Sequence, residues 1–233
     1  MKKQRAFTLA EVLITLGVIG VVAAMTMPSL IQNHQKKELL NQFKVAYSTM
    51  QTTFNKAEYD LGYKPLCFYR SDRPSTQVSA YLDEDCEEFW NYMYNNLKVV
   101  KFCKNNAYEN GCIPDYNGFN EVYAAKDPSL SEDDITQITN NCPAWRTKDN
   151  VRSQRAAVLS NGMIILYYGK GSMIFAIDVN GKKGPNKWGY DLFSFSTVSD
   201  VKSSALRLKA GIVCNGAEKG GKTTSQMMQS MGD

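Results

Sequence analysis

Hydrophobic and polar positions divide the chain into stretches of different period. From Phe7 to Met27 the sequence is apolar apart from Thr8, Glu11, Thr15 and Thr26. As a helix, this run of 21 residues rises about 31 Å, the thickness of a bilayer core. Pro28 closes the run, and a helical pattern resumes at once. Leu40, Phe43, Tyr47, Met50, Phe54, Ala57 and Leu61 then recur at alternating steps of three and four, with polar residues between them. That spacing is one apolar stripe on a helix, and Gly62 stands where such a helix stops. Residues 7 to about 61 therefore read as one long helix, apolar all round in its first half and amphipathic in its second, and the second half must pack on something.

The remaining pattern supplies the partner. Residues 79–100, "SAYLDEDCEEFWNYMYNNLKVV", read as a second helix, and "SEDDITQIT" from Ser131 as a short one with Ser131 and Asp134 spaced as a capping box. "AAVLS", an Asn161-Gly162 turn, "MIILYY", a turn at Gly169-Lys170-Gly171 and "SMIFAIDV" form a three-stranded meander, to which "DLFSFSTV" from Asp191 adds a strand. The last dozen residues read as frayed. The predicted fold class is α+β: a long N-terminal helix packed on a small antiparallel sheet. The domain order is a membrane helix over 7–28, its amphipathic continuation over 29–62, and a globular domain over 63–233.

Charge changes the picture little. The formal net charge is +4, but Lys2, Lys3 and Arg5 lie in the first five positions; without them 24 basic residues face 23 acidic ones. No nucleic-acid partner is expected. The three basic residues keep the N-terminus on the cytoplasmic side of a membrane. Six cysteines, Cys67, Cys86, Cys103, Cys112, Cys142 and Cys214, follow the apolar segment, and none forms a C-x-x-C pair. An even number after an export-like segment points to disulfides outside the cytoplasm. Six cysteines allow 15 connectivities; Cys103 with Cys112, around "NNAYENG", is the one pairing offered.

Glu11 is the residue that the apolar run does not explain. A carboxylate at membrane depth costs about 2.5 kcal/mol or more on insertion scales, which makes it a functional candidate. The stretch "KKQRAFTLAEVLITLGVIGVVAAMTMP" resembles the N-terminus of type IV pilin-like proteins, including the pseudopilins of type II secretion systems. It has the short basic leader, Phe7 opening the mature chain, Glu11 four residues later, the continuous apolar helix and Pro28. The resemblance implies removal of a leader, residues 1–6, by a prepilin peptidase between Ala6 and Phe7, then N-methylation of Phe7. It also implies a pilin-like fold and a single-pass inner-membrane protein with a periplasmic or filament-borne globular domain. Its partners would be copies of itself or related pilin-like subunits, and an inner-membrane assembly platform driven by a cytoplasmic ATPase. Alanine before the cut departs from the usual glycine. In a filament of stacked helices, Glu11 of one subunit would meet the new α-amino group of a neighbour, so that two costly charges offset each other. The function expected is a structural filament subunit, a secretion pseudopilin before a type IV pilus pilin of adhesion, motility or DNA uptake.

Two rival readings fit parts of the chain less well. A secretory signal peptide could be cut after Val22-Ala23-Ala24, but the apolar region exceeds the usual 7–15 residues and carries a glutamate. "GAEKGGKT", Gly216 to Thr223, spells a P-loop, yet only ten residues follow Thr223, too few for the βα unit that such a loop needs. His34 is the only histidine, so a Ser-His-Asp or multi-histidine site is not expected, and the chain is not read as an enzyme. In "DVNGKKGPNKWGYD", Asp178, Asn180, Asn186 and Asp191 offer hard oxygens around glycines, a set that suits Ca²⁺. Some secretion pseudopilins hold calcium in a C-terminal loop, which this stretch loosely resembles. The same residues are also good turn formers, so the loop has a calcium reading and a turn reading.

Overall fold

The computed structural model describes residues 8–62, 78–168, 174–198, 207–211 and 214–232. The elements in chain order are α1 (Leu9–Leu61), α2 (Val78–Leu97), β1 (Val99–Cys103), α3 (Phe119–Lys126), α4 (Glu132–Ile138), α5 (Lys148–Ser153), β2 (Ala156–Leu159), β3 (Ile164–Tyr167), β4 (Ile174–Asp178), β5 (Leu192–Val198), β6 (Arg207–Ala210) and α6 (Thr224–Gln229). The fold is α+β, a long N-terminal helix followed by an antiparallel sheet. The chain divides into two compact units, Met1–Glu38 and Leu39–Asp233.

In the first unit the apolar side chains of α1 are exposed, from Leu9 through Ile31. Pro28 lies inside the helix; its missing N–H removes one i→i−4 bond. In the second unit the same helix turns amphipathic. Phe43, Met50, Phe54 and Ala57 are fully buried, with Leu40, Tyr47 and Leu61 packed against the same core. Gly62, at φ +70°, ends the helix in the left-handed region that only glycine enters freely.

The sheet has the order β1-β2-β3-β4-β5-β6, every neighbouring pair antiparallel. Side chains alternate between its two faces. Ala157, Ile165, Tyr167, Phe175, Ile177, Phe193 and Phe195 meet α1 and α2. Ala156, Ile164, Leu166, Ala176 and Leu192 meet a layer of α3, α5 and their loops, centred on Tyr116, Trp145 and Trp188. The sheet is thus buried on both sides, which explains why β3 reads as a continuous apolar run. Aromatic rings join α1 to the sheet and to α2: Phe43 meets Phe193 of β5 edge-on at 4.7 Å, and Phe54 stacks on Phe89 of α2 at 5.4 Å. At the β6 edge, α1 supplies backbone partners, since Leu208 N–H donates to Gln51 Oε1 and Tyr47 O–H donates to Leu208 O.

Three expectations need correction. The second helix ends at Leu97, not near 100, because Lys98 takes φ +53° and Val99 pairs with Leu159. The last residues described, through Gly232, are not frayed: a capping box between Thr223 and Gln226 starts α6, and Met227 is buried in the core. β1, β6, α3 and α5 were not predicted. The Gly169-Lys170-Gly171 turn lies outside the described residues. The Asn161-Gly162 turn joins β2 to β3, with Gly162 at φ +90°.

Replacing Phe54 with alanine should destabilise the fold by about 3–5 kcal/mol. Thr52→Ala, two residues away on the exposed face, should stay within roughly 0.5 kcal/mol of wild type. Denaturant unfolding of the two variants in detergent checks the difference.

Candidate functional site

Two places in the fold carry candidate chemistry. The first is the start of α1. Thr8 and Glu11 form a reciprocal cap: Thr8 N–H and its hydroxyl both donate to Glu11 Oε2, at 2.8 and 2.9 Å, and Glu11 N–H donates to Thr8 Oγ1 at 3.3 Å. "TLAE" is the S/T-x-x-E capping signature, which reading Glu11 only as a membrane carboxylate overlooks. The cap satisfies donors that a helix start leaves open. Thr15 and Thr26 turn their hydroxyls back to the carbonyls of Glu11 and Val22 for the same reason. Ala6 and Phe7 lie outside the described residues. Pro28 is within α1, and His34 is exposed on it.

The second is the connection between β4 and β5. It brings Asp178, Asn180, Asn186 and Asp191 onto one loop, with both aspartates buried. Asp178 ends β4. Its Oδ1 accepts from Asn180 N–H at 3.1 Å and Gly181 N–H at 2.6 Å, and its Oδ2 accepts from the Tyr116 hydroxyl at 2.6 Å. Asp191 accepts from Asn186 N–H at 2.6 Å and Lys187 N–H at 2.7 Å. Every carboxylate oxygen thus accepts at least one hydrogen bond: the turn's own N–H groups reach Asp178 Oδ1 twice and each Asp191 oxygen once, and Tyr116 takes Asp178 Oδ2. Gly181 must be glycine: it sits at φ +64°, and a Cβ there would lie 2.0 Å from Gly162 O in the β2–β3 turn.

Two amide oxygens are left over. Asn180 donates its side-chain N–H to Gly184 O, but Asn180 Oδ1 and Asn186 Oδ1 are buried without a hydrogen-bond partner. Among the described residues no three His, Cys, Asp or Glu side chains come together; the loop instead offers two carboxylates and two amide oxygens. Burial, with the Asp191 charge nearby, pushes the Asp178 carboxyl up to about 8, against its three hydrogen bonds. Burial also raises Asp191 and lifts the Tyr116 hydroxyl well above its usual range. Two unpartnered amide oxygens and two buried carboxyls on one loop are oxygen donors of the type that Ca²⁺ takes.

Neighbouring segments hold this loop on two sides. Lys182 Nζ donates to Gly111 O at 2.7 Å, tying it to the loop that Cys103–Cys112 closes. On the other side, Glu218 N–H and Lys222 N–H donate to Trp188 O and Gly189 O. That second segment is the "GAEKGGKT" stretch. Its Lys222 N–H is committed to a backbone carbonyl, and Thr223 caps a helix of six residues, so it lacks the phosphate-cradling form of a P-loop. Cys142 bonds Cys214. Cys67 lies outside the described residues, as does the side chain of Cys86.

Residues 1–27 match the family model described as the prokaryotic N-terminal methylation motif, the prepilin-type leader of type IV pilin-like proteins. No curated protein and no solved structure matches the chain.

Asp178 has a measurable consequence in protein freed of metal. A carboxyl raised from its unfolded value near 3.9 to about 8 stabilises the fold fully below the unfolded value. That contribution falls as pH rises through the window from about 4 to about 8. Thermal melts in chelator should show this decline, and Asp178→Asn should flatten it.

Proposed function

We propose that the chain is a structural subunit of a pilin-like filament, specifically a type II secretion pseudopilin, stored in the inner membrane with its globular domain in the periplasm. The observation that carries the reading is the methylation motif over residues 1–27, set at the head of a helix whose first half is apolar and exposed and whose second half is buried in a folded core. In this reading a prepilin peptidase cuts between Ala6 and Phe7, and Phe7 is then methylated. Glu11, capped by Thr8 within its own chain, turns to the α-amino group of an adjoining subunit on assembly. Both bonds that Thr8 donates to the carboxylate fall on Glu11 Oε2, which leaves Oε1 for that amine. Related subunits and an assembly platform with its cytoplasmic ATPase complete the partner set. A type IV pilus pilin is the alternative, and the methylation motif is common to both readings.

The β4–β5 loop has its own reading: a structural Ca²⁺ held by Asp178, Asn180, Asn186 and Asp191, supported by the two unsatisfied amide oxygens. The ion would neutralise two buried carboxylates and fix the loop; it would carry no reaction.

Mass spectrometry of protein from native membranes should find N-methylated Phe7 at the mature N-terminus. Glu11→Ala should insert into membranes normally and fail to enter filaments, because removing one partner of a buried pair costs roughly 3–5 kcal/mol. Intact Met1 on filament protein, or normal incorporation of the alanine variant, would overturn the reading. Separately, Ca²⁺ should raise the melting temperature of wild type and leave that of Asp191→Asn unmoved; an equal response from both removes the cation.

A further inference from the structure

Lysines gather on one face of the globular unit. Lys182, Lys183 and Lys187 are exposed on the β4–β5 connection, and Lys219 and Lys222 on the segment bound across it. That segment is held by Glu218 N–H on Trp188 O, Lys222 N–H on Gly189 O and the Tyr190 hydroxyl on Lys219 O. The two stretches pack so closely that a Cβ on Gly189 would lie 2.4 Å from Ala217 Cβ. Five ammonium groups from distant parts of the chain therefore share one surface. Lys182 Nζ donates to Gly111 O and Lys222 Nζ to Ser230 Oγ. None of the five makes an ion pair among the described residues. Neighbouring carboxylates are few. Asp178 and Asp191 are buried, Glu218 is half-buried with Lys187 near it, and Glu109 is exposed on the Cys103–Cys112 loop. The face keeps a positive excess.

Its place in the unit indicates what it meets. β5 runs alongside α1: Phe193 meets Phe43, Phe195 approaches Tyr47, and Leu208, opposite Thr197, takes Gln51. Moving back along β5 from Val198 to Leu192 is thus moving back along α1 toward Leu39. The β4–β5 connection lies at the end where α1 enters the globular unit. The helix arrives there from its apolar half, in which Leu30 and Ile31 are 71% and 55% exposed. Leu39 follows Ile31 by eight residues, about 12 Å of helix. His34, Lys36 and Lys37 are exposed within that interval, with Glu38 as its one acid.

We propose that the lysine face rests on the anionic phospholipid headgroups of the bilayer that α1 spans, and so tethers the globular unit to the membrane surface before assembly. The inference rests on the reading of the first half of α1 as a membrane helix. A headgroup layer adds about 5–7 Å to each side of the hydrocarbon. The field of a charged surface reaches roughly 8–10 Å further at physiological salt. Together these cover the helix between Ile31 and the globular unit. Lysine suits the partner, because a flexible point charge follows mobile phosphates, whereas a fixed phosphate site favours the fork of a guanidinium. Each lysine within reach strengthens attachment about fivefold. The tether is a sum of weak contacts, so a subunit can leave it one contact at a time.

The test uses the full-length chain reconstituted in phosphatidylcholine vesicles, with or without phosphatidylglycerol, and an amine-reactive label read by mass spectrometry. Labelling of Lys183, Lys187 and Lys219 should fall about tenfold in the anionic vesicles and recover at high salt. Lys56, toward the other end of α1 in the unit, should label equally in both. Lys183→Glu with Lys219→Glu should remove the protection of Lys187, with unchanged circular dichroism to show that the fold is kept. Equal labelling of the three lysines in both vesicle types overturns the tether. Equal protection by free glycerophosphoglycerol also overturns it, since the face would then be a discrete anion site. Protection seen in native membranes but not in the anionic vesicles overturns it as well, and assigns the face to an acidic protein. Flotation of the chain with phosphatidylcholine vesicles retains the membrane reading when lysine protection fails. Loss of flotation rejects that reading itself.

Discussion

Burial of the α1 stripe against one face of the sheet is the contact on which the globular unit is organised. Phe43, Met50, Phe54 and Ala57 come from a single helix face, yet they reach β4, β5 and α2 together through Phe89, Phe175, Phe193 and Phe195. Each large aromatic side chain removes enough apolar surface from water to be worth about 1.5–3 kcal/mol. Stripped of that helix face, the sheet would show a contiguous apolar patch. The bond pair from Gln51 and Tyr47 to Leu208 adds a polar lock at the β6 edge, where an open strand would invite pairing. A helix so committed to its own domain can carry an apolar, exposed extension without losing its register on the sheet.

The other face of the sheet positions the loop chemistry. Asp178 is buried because β4 is an interior strand, and its neighbour Tyr116 arrives from the layer that Trp145 and Trp188 fill. Disulfides Cys103–Cys112 and Cys142–Cys214 pin that layer at separations of 9 and 72 residues. On the chain-entropy model the longer closure restricts the unfolded chain by about 4 kcal/mol. Helices α4, α5 and α6 are too short to stand alone, and each opens with a reciprocal cap. A layer of short pieces thus stays ordered through caps, cross-links and two tryptophans, and it can present charge on its outer surface.

Much of this could be read from single residues. The three-four spacing of the α1 stripe, Gly62 as its stop, the Ser131–Asp134 cap and the Asn161-Gly162 hairpin each rest on interactions within a few positions. The Thr8–Glu11 cap and the Thr223–Gln226 cap have the same local signature and were equally available. β1 was lost because Val99 and Val100 continue a helical pattern, and only pairing with β2 makes them a strand. β6 has only four residues, too short an alternation to stand out, and its partners lie on β5 and on α1. α3 is held by Trp188 and the residues after β6, neither of which is near it in sequence.

By itself, then, the sequence determined where the chain is apolar enough for lipid, where it turns amphipathic, and which residues sit in caps and tight turns, since those depend on period and on backbone preferences of neighbours. Tertiary structure alone decided that Asp178 and Asp191 share a buried loop with two unsatisfied amide oxygens, and that Cys142 pairs with Cys214. Burial, charge coupling and surface grouping depend on distances between residues far apart in sequence, and only strand order and packing set those distances.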